Sequence, residues 1–219
     1  MKVTLRTDVL TNNNKAAEFN RELFESTRTL VVNLMSSPGA GKTTLLEETV
    51  RALTEKYRIG VIEGDLATEM DADRIRAMGA KAVQINTHGG CHLDARMVAA
   101  SLAEFDLEEI DILFIENVGN LVCPSGYDLG QNHKVAVLSV PEGNDKIPKY
   151  SQMFMRTELV LLNKIDLLPY LDFSVEEARK DLSEINPQSE LLPLSARTRE
   201  GLHEWFSWIE GAYLKCVQQ

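Results

Sequence analysis

The chain has 219 residues, 44% of them hydrophobic, enough to bury the core of one domain slightly above the usual size. Its formal charge of -10 and pI near 5.0 argue against a surface that coats nucleic acid, because neutralising phosphates needs clustered Lys and Arg. No run approaches the roughly 20 apolar residues of a membrane span, and Met1 to Leu10 lacks a signal-peptide core. A cytoplasmic protein is expected, in which the scattered Cys91, Cys123 and Cys216 stay as thiols.

Taken in chain order, the pattern opens with a helix over 12–27, capped by its asparagines, so that residues 1–28 read as an added N-terminal helical arm and 29–219 as the main domain. Strand-length apolar runs then recur at 29–35, 58–63, 81–85, 111–117, 134–140, 158–163 and 190–194. Helical patterns fall between them at 43–56, 71–78, 93–105, 174–185 and 200–215, with Ser174 and Glu177 spaced as a capping box. This alternation predicts an α/β fold, a mostly parallel sheet flanked by helices in three layers. The longest irregular stretch is 117–133, and loops of that length are usually functional.

The first strand runs into Ser36-Ser-Pro-Gly-Ala-Gly-Lys-Thr43 and then a helix, the context of a phosphate-binding loop. Gly39, Ala40 and Gly41 can turn their backbone N–H groups onto phosphate oxygens, and the helix start at Lys42, Thr43 and Thr44 directs positive dipole at the same charge. Lys42 is expected to reach the β and γ phosphates, and Thr43 to offer its hydroxyl to Mg2+. Ser36 stands where the pattern usually has glycine.

Asp65 and Asp71, beyond the second strand, are candidates for the Mg2+ or for the attacking water. The fourth strand ends in Glu116-Asn117-Val118-Gly119, where a GTPase switch carries an acid and a glycine. Glu116 is the expected acid near Mg2+, and the Gly119 N–H the expected sensor of the γ-phosphate. Asn163-Lys164-Ile165-Asp166 closes the sixth strand. Asp166 can accept from both the ring N–H and the exocyclic amine of guanine, a pair of donors adenine lacks; Asn163 and Lys164 frame the base, with Ser195 and Ala196 supporting it from another loop. The expected activity is hydrolysis of GTP to GDP and phosphate, slow because no glutamine or arginine is clearly placed to accelerate it. A regulatory switch and an ATP-dependent kinase are the rival readings of the phosphate loop, and Asp166 argues against the second.

Cys91 and His92 follow the third strand, and Cys123 follows the fourth. In a parallel sheet both loops leave the same edge, so two thiolates and an imidazole can converge as ligands for Zn2+, Ni2+ or copper. A water, His88 or a second subunit would complete the shell. Cys216, His133 and His203 have no evident metal partners.

Four stretches together carry a family resemblance: 36–44; Asn86-Thr-His-Gly-Gly-Cys-His-Leu-Asp-Ala95; Ile115-Glu-Asn-Val-Gly-Asn-Leu-Val-Cys-Pro124; and Asp128-Leu-Gly followed by Glu142-Gly. They resemble the HypB family of hydrogenase nickel-incorporation GTPases, a SIMIBI-type P-loop group, across nearly the whole chain. The related urease GTPase, UreG, has Cys-Pro-His at its metal motif, whereas here Cys91 abuts His92. The resemblance implies a GTP-dependent homodimer with Cys91, His92 and Cys123 binding nickel or zinc at its interface, and a lysine, Lys149 or else Lys146, reaching the partner's guanine. It also implies a HypA-like nickel accessory protein and the hydrogenase large-subunit precursor as partners. Some members carry nickel-binding Cys or His tracts near the N-terminus; Met1 to Arg28 holds neither residue.

Overall fold

The structure, a computed structural model, describes residues 5–64, 69–87 and 89–218. Seven strands, β1 (Leu30–Ser36), β2 (Ile59–Glu63), β3 (Lys81–Gln84), β4 (Ile112–Glu116), β5 (His133–Ser139), β6 (Leu159–Asn163) and β7 (Glu190–Pro193), form one sheet in the order β3-β2-β4-β1-β5-β6-β7, every pair parallel. Parallel neighbours need crossovers, and the helices supply them: α1 (Leu5–Thr27), α2 (Lys42–Leu53), α3 (Glu69–Ala77), α4 (Ala95–Leu102), the single-turn α5 (Lys146–Lys149) and α6 (Ser151–Phe154), α7 (Val175–Ile185) and α8 (Leu202–Val217).

Because successive strand residues face opposite sides, β1 divides its core: Leu30, Val32 and Leu34 pack with α2, α3 and α8, whereas Val31 joins Phe24 of α1 and Val98 of α4, and Met35 packs with Ile147, Phe154 and Leu182 of α5, α6 and α7. The result is the three-layer P-loop architecture the sequence predicts. α8 is fastened to α2 by buried Trp205, whose indole N–H donates to Thr49 Oγ1 at 2.9 Å. Among the described residues no helix is long and apolar enough to cross a membrane.

Several boundaries differ from expectation for local reasons. α1 begins at Leu5, so Asn12, Asn13 and Asn14 are interior to it rather than caps, and the Asn13 amide bonds elsewhere in the fold. α4 starts only at Ala95, because Asp94 is the cap, accepting from the N–H groups of Arg96 and Met97, both at 2.9 Å. Ser174 caps α7 by accepting from Glu177 N–H, but the return bond to Ser174 N–H comes to Asn144 Oδ1, while the Glu177 carboxylate accepts from Asn144 Nδ2. The reciprocal box occurs instead at Ser139 and Glu142, on the 3-10 turn after β5. The loop 117–133 contains a 3-10 turn at Pro124–Gly126.

β4 and β1 lie mid-sheet, so Phe114, fully buried among residues from both neighbours and the helices beneath, tests the core directly. Phe114→Ala should cost about 3–5 kcal/mol in urea unfolding, read as a lower midpoint at unchanged slope.

Candidate functional site

The strand register brings the C-terminal edge to one level: Leu34 pairs with Glu116, Glu63 with Glu116, and Ser139 with Asn163. Open α/β sheets bind ligands on this edge, where strand order reverses; here the reversal is at β1, flanked by β4 and β5. The phosphate loop crosses it. Gly39 and Gly41 hold φ of +75° and +94°, a left-handed path that β-carbons oppose, and a Cβ on Gly41 would lie 2.5 Å from Asn163 Nδ2.

That close approach joins the two nucleotide motifs. Asn163 donates from Nδ2 to the Ala40 carbonyl at 2.9 Å, and its Oδ1 accepts from the N–H groups of Ala196 and Lys164 at 3.0 and 2.8 Å. Lys164 Nζ donates to the Gly39 carbonyl at 2.6 Å. Ser195 Oγ donates to Asp166 Oδ1 at 2.6 Å and orients the carboxylate. Together these residues border an open cleft of about 580 Å3 with Gly41, Thr44, Asp166 and Ala196 on its walls. Asn163 therefore acts here as the tie between loops, a role wider than the base contact expected from the motif.

At the phosphate end, Thr43 Oγ1 donates to Glu116 Oε1 at 2.8 Å, and Lys42 Nζ lies 3.5 Å from the same oxygen. Glu116 has no solvent exposure and Glu63, its register partner, only 3%. Two buried carboxylates at adjacent strand ends, one of them bonded to a hydroxyl, offer oxygen donors of the kind that suit a hard cation such as Mg2+. Glu63 is a residue the sequence reading passed over, although its place at a strand's C-terminal end marks it. Ser37 also donates to Glu142, linking the loop to the 3-10 turn after β5. Gly119 sits against the phosphate loop: a Cβ there would meet Pro38 Cα at 3.1 Å. Asp65 and His88 lie outside the described residues, as does the side chain of Asp71 on α3. Lys146 and Lys149 lie on α5 over the Tyr150 ring, at 5.6 and 5.9 Å, and are not among the residues lining the Asp166 cleft.

The thiols do converge. Donor atoms of Cys91, His92 and Cys123 all lie within 4.8 Å of one another, with Cys91 Sγ 3.4 Å from His92 Nδ1. Asn120 Oδ1 accepts from the N–H groups of Val122 and Cys123 and shapes the turn that presents the second thiol. The His92 ring stacks on Tyr127 with centroids 3.9 Å apart. Hydrogen bonding with Cys91, then burial, holds the Cys123 thiol above the usual cysteine range, against an opposing contact from Asn120. Burial lowers His92, against the Asp94 carboxylate, so its imidazole is neutral near pH 7.

This edge also carries a physical link between the two centres. Buried Asn117 accepts at Oδ1 from the N–H groups of Leu93 and Val118, at 3.1 and 3.0 Å, and donates from Nδ2 to Asn33 Oδ1 at 3.3 Å. Leu93 follows His92 directly and packs on the end of β2, where a Cβ on Gly64 would fall 2.4 Å from its Cδ1.

The family model for the CobW/HypB/UreG nucleotide-binding domain matches residues 30–193. The hydrogenase maturation factor HypB of Escherichia coli K12 is 54% identical over 203 residues, 93% of this chain and 70% of the relative. The chain belongs to the HypB family. Two HypB crystal structures superpose closely, each 37% identical and covering 93% of the chain: that from Archaeoglobus fulgidus, with TM-score 0.88 and all of its chain covered, and that from Helicobacter pylori in complex with nickel, with TM-score 0.87 and 96% covered. The distinctive HypB-family stretches identified by sequence, 86–95 and 115–124, are the two loops that meet at Cys91, His92 and Cys123.

Two outcomes follow from this HypB-family edge. Asp166→Ala should reduce the preference for GTP over ATP by tenfold or more, since losing hydrogen bonds to a charged group costs about 1.5–3 kcal/mol; competition titrations measure it. A nickel ion taken up by these three residues would displace thiol protons, the Cys123 proton being the more tightly held, whereas His92 is already neutral. Nickel affinity should therefore fall as pH is lowered from about 8.5 to about 6.5, with roughly one to two protons released per ion in calorimetry run in two buffers.

Proposed function

We propose that the chain is a GTP-hydrolysing nickel carrier of hydrogenase maturation, cytoplasmic and dimeric in its GTP state, in which the nucleotide sets the grip on the metal. The observation that supports this most directly is the short covalent and hydrogen-bonded route from phosphate loop to thiols. Glu116 holds Thr43 and Lys42; Asn117, next in the chain, holds Leu93 beside His92; and Cys123 lies seven positions beyond Glu116. A shift of the 116–119 segment toward a γ-phosphate moves both ligand-bearing loops.

GTP enters with its base in the Asp166 cleft and its phosphates under Gly39, Ala40, Gly41, Lys42, Thr43 and Thr44. Thr43 and Glu116 would hold Mg2+, with Glu63, Asp65 and Asp71 as further oxygen donors, and the ion would neutralise charge building on the β and γ phosphates. Gly119, already against Pro38, reads the presence of the γ-phosphate. Water attack yields GDP and phosphate, slowly, and the switch relaxes. Ni2+, with Zn2+ as competitor for the same thiolates, is cargo at Cys91, His92 and Cys123. A second copy of the chain completes its coordination and brings Lys149 to the partner's guanine. A HypA-like accessory protein and the hydrogenase large-subunit precursor are the exchange partners.

Coupling requires that the nucleotide bind the open and closed forms unequally. Nickel affinity measured with GDP and with a non-hydrolysable GTP analogue should differ by about 5- to 150-fold, and Asn117→Ala should narrow that difference while both nucleotides still bind. Equal nickel affinities in the wild-type chain would leave a regulatory GTPase without metal delivery.

A further inference from the structure

α1 precedes the residues 30–193 that match the nucleotide-binding family model. Its buried face nevertheless carries more than packing. Beside Ala17 and Phe24, both at 1% exposure or less, lie two amides two helical turns apart, Asn13 at 3% and Asn20 at 0%. Amides are costly to bury unless their hydrogen bonds are remade; here Asn13 Oδ1 and both Nδ2 groups bond at particular places, and Asn20 Oδ1 has no partner among the described residues.

Asn13 Oδ1 accepts from Ala95 N–H at 2.9 Å, and its Nδ2 donates to the Asp128 carbonyl at 2.8 Å. Asn20 Nδ2 donates to the carbonyls of Ala95 at 2.9 Å and Leu129 at 3.0 Å. Ala95 begins α4, just after Cys91 and His92; Asp128 and Leu129 follow Cys123 in the next loop. Each asparagine thus binds both ligand-bearing segments at once. Gly130 brings the second segment hard against the helix: at φ +87° it has no β-carbon, and one would lie 2.6 Å from the Ala17 carbonyl oxygen. Arg21 adds an ion pair to Asp128 at 2.7 Å, partly exposed and therefore a weaker tie. Tyr127, in the second segment, packs its ring against that of His92 in the first, tilted by 32°.

We propose that α1 is a clamp on the metal site, with Asn13 and Asn20 as positioning residues that set the separation of Cys91 and His92 from Cys123. The inference rests on reading those three residues as the ligands. With metal–sulfur bonds of about 2.3 Å, a tetrahedral ion places two thiolates roughly 3.8 Å apart. The donor atoms, within 4.8 Å of each other, stand close to that spacing before any ion binds. Two loops anchored to one rigid helix lose little further freedom on coordination, and this lowers the entropy cost of binding. The N-terminal helix becomes a working part of the carrier, able to change metal affinity without touching the nucleotide.

The test is nickel titration of the full chain with GDP present, followed by thiolate-to-nickel charge-transfer absorption, with GDP affinity measured in parallel. Asn20→Ala removes both of its bonds; Asn13→Ala, two turns away, removes the bonds to Ala95 N–H and the Asp128 carbonyl, a second variant should the first fold poorly. Both should weaken nickel binding by about 10- to 100-fold and shift the absorption band, at unchanged GDP affinity. Phe24→Leu, which thins the packing of the same helix without a bond to either segment, should leave nickel binding and spectrum as in wild type. Wild-type nickel affinity in both asparagine variants would overturn the clamp, as would an equal loss in Phe24→Leu or a parallel loss of GDP binding. Cys91→Ala separates the underlying reading: if it binds nickel like wild type, the ligand assignment falls and the clamp with it.

Discussion

A carboxylate with no access to water stands at the centre of this molecule. Glu116 ends the strand beside β1, and its Oε1 takes the Thr43 hydroxyl and faces the Lys42 ammonium. A buried charge is sustained only when paired and hydrogen-bonded, so the phosphate loop, the ends of β2 and β4 and the switch segment must keep their mutual positions. The remaining contacts at the edge extend that constraint outward. Asn163 carries it to the Asp166 cleft through Ala40 and Ala196, and Asn117 carries it to the Cys91-His92 loop through Leu93.

Much of this was readable before any coordinates. Alternating apolar runs and amphipathic segments specify a parallel sheet because crossover helices and doubly buried strands leave that pattern. The phosphate loop is legible because φ-positive glycines and a helix start are local demands, met within eight residues. Convergence of Cys91, His92 and Cys123 follows from parallel strands ending on a common edge. What stayed hidden depends on pairs far apart in the chain. Asn13 looks like a helix cap by composition, and only its bonds to residues 95 and 128 show it to be interior. Asn144 displaces Glu177 from the expected capping box because folding brings it across a gap of 30 residues to Ser174. Glu63 reads as a strand end until register sets it opposite Glu116.

Buried amides make many of these long-range ties. Asn13, Asn20, Asn33, Asn117 and Asn163 all lie at 3% exposure or less, and each bonds to a segment distant in sequence. An amide offers a donor and an acceptor with no net charge. It can therefore cross-link loops in the interior without the desolvation penalty of an ion pair, and its geometry tolerates only one arrangement of the partners. The edge loops are thereby tied to one another by hydrogen bonds.

In the proposed function the same edge offers two different donor sets. Thr43, Glu63 and Glu116 present oxygen alone, which a small hard cation accepts and a soft ion does not prefer. Cys91, His92 and Cys123 present sulfur and nitrogen, which Mg2+ ignores and Ni2+ or Zn2+ bind strongly. A carrier that used one donor set for both ions would bind its cargo at the phosphate site, since raw affinity for late transition metals exceeds that for magnesium. The two donor sets are chemically distinct, and Asn117 and the short 116–123 segment lie between them. The sulfur and nitrogen set of the proposed carrier site is thus one that Mg2+ does not compete for.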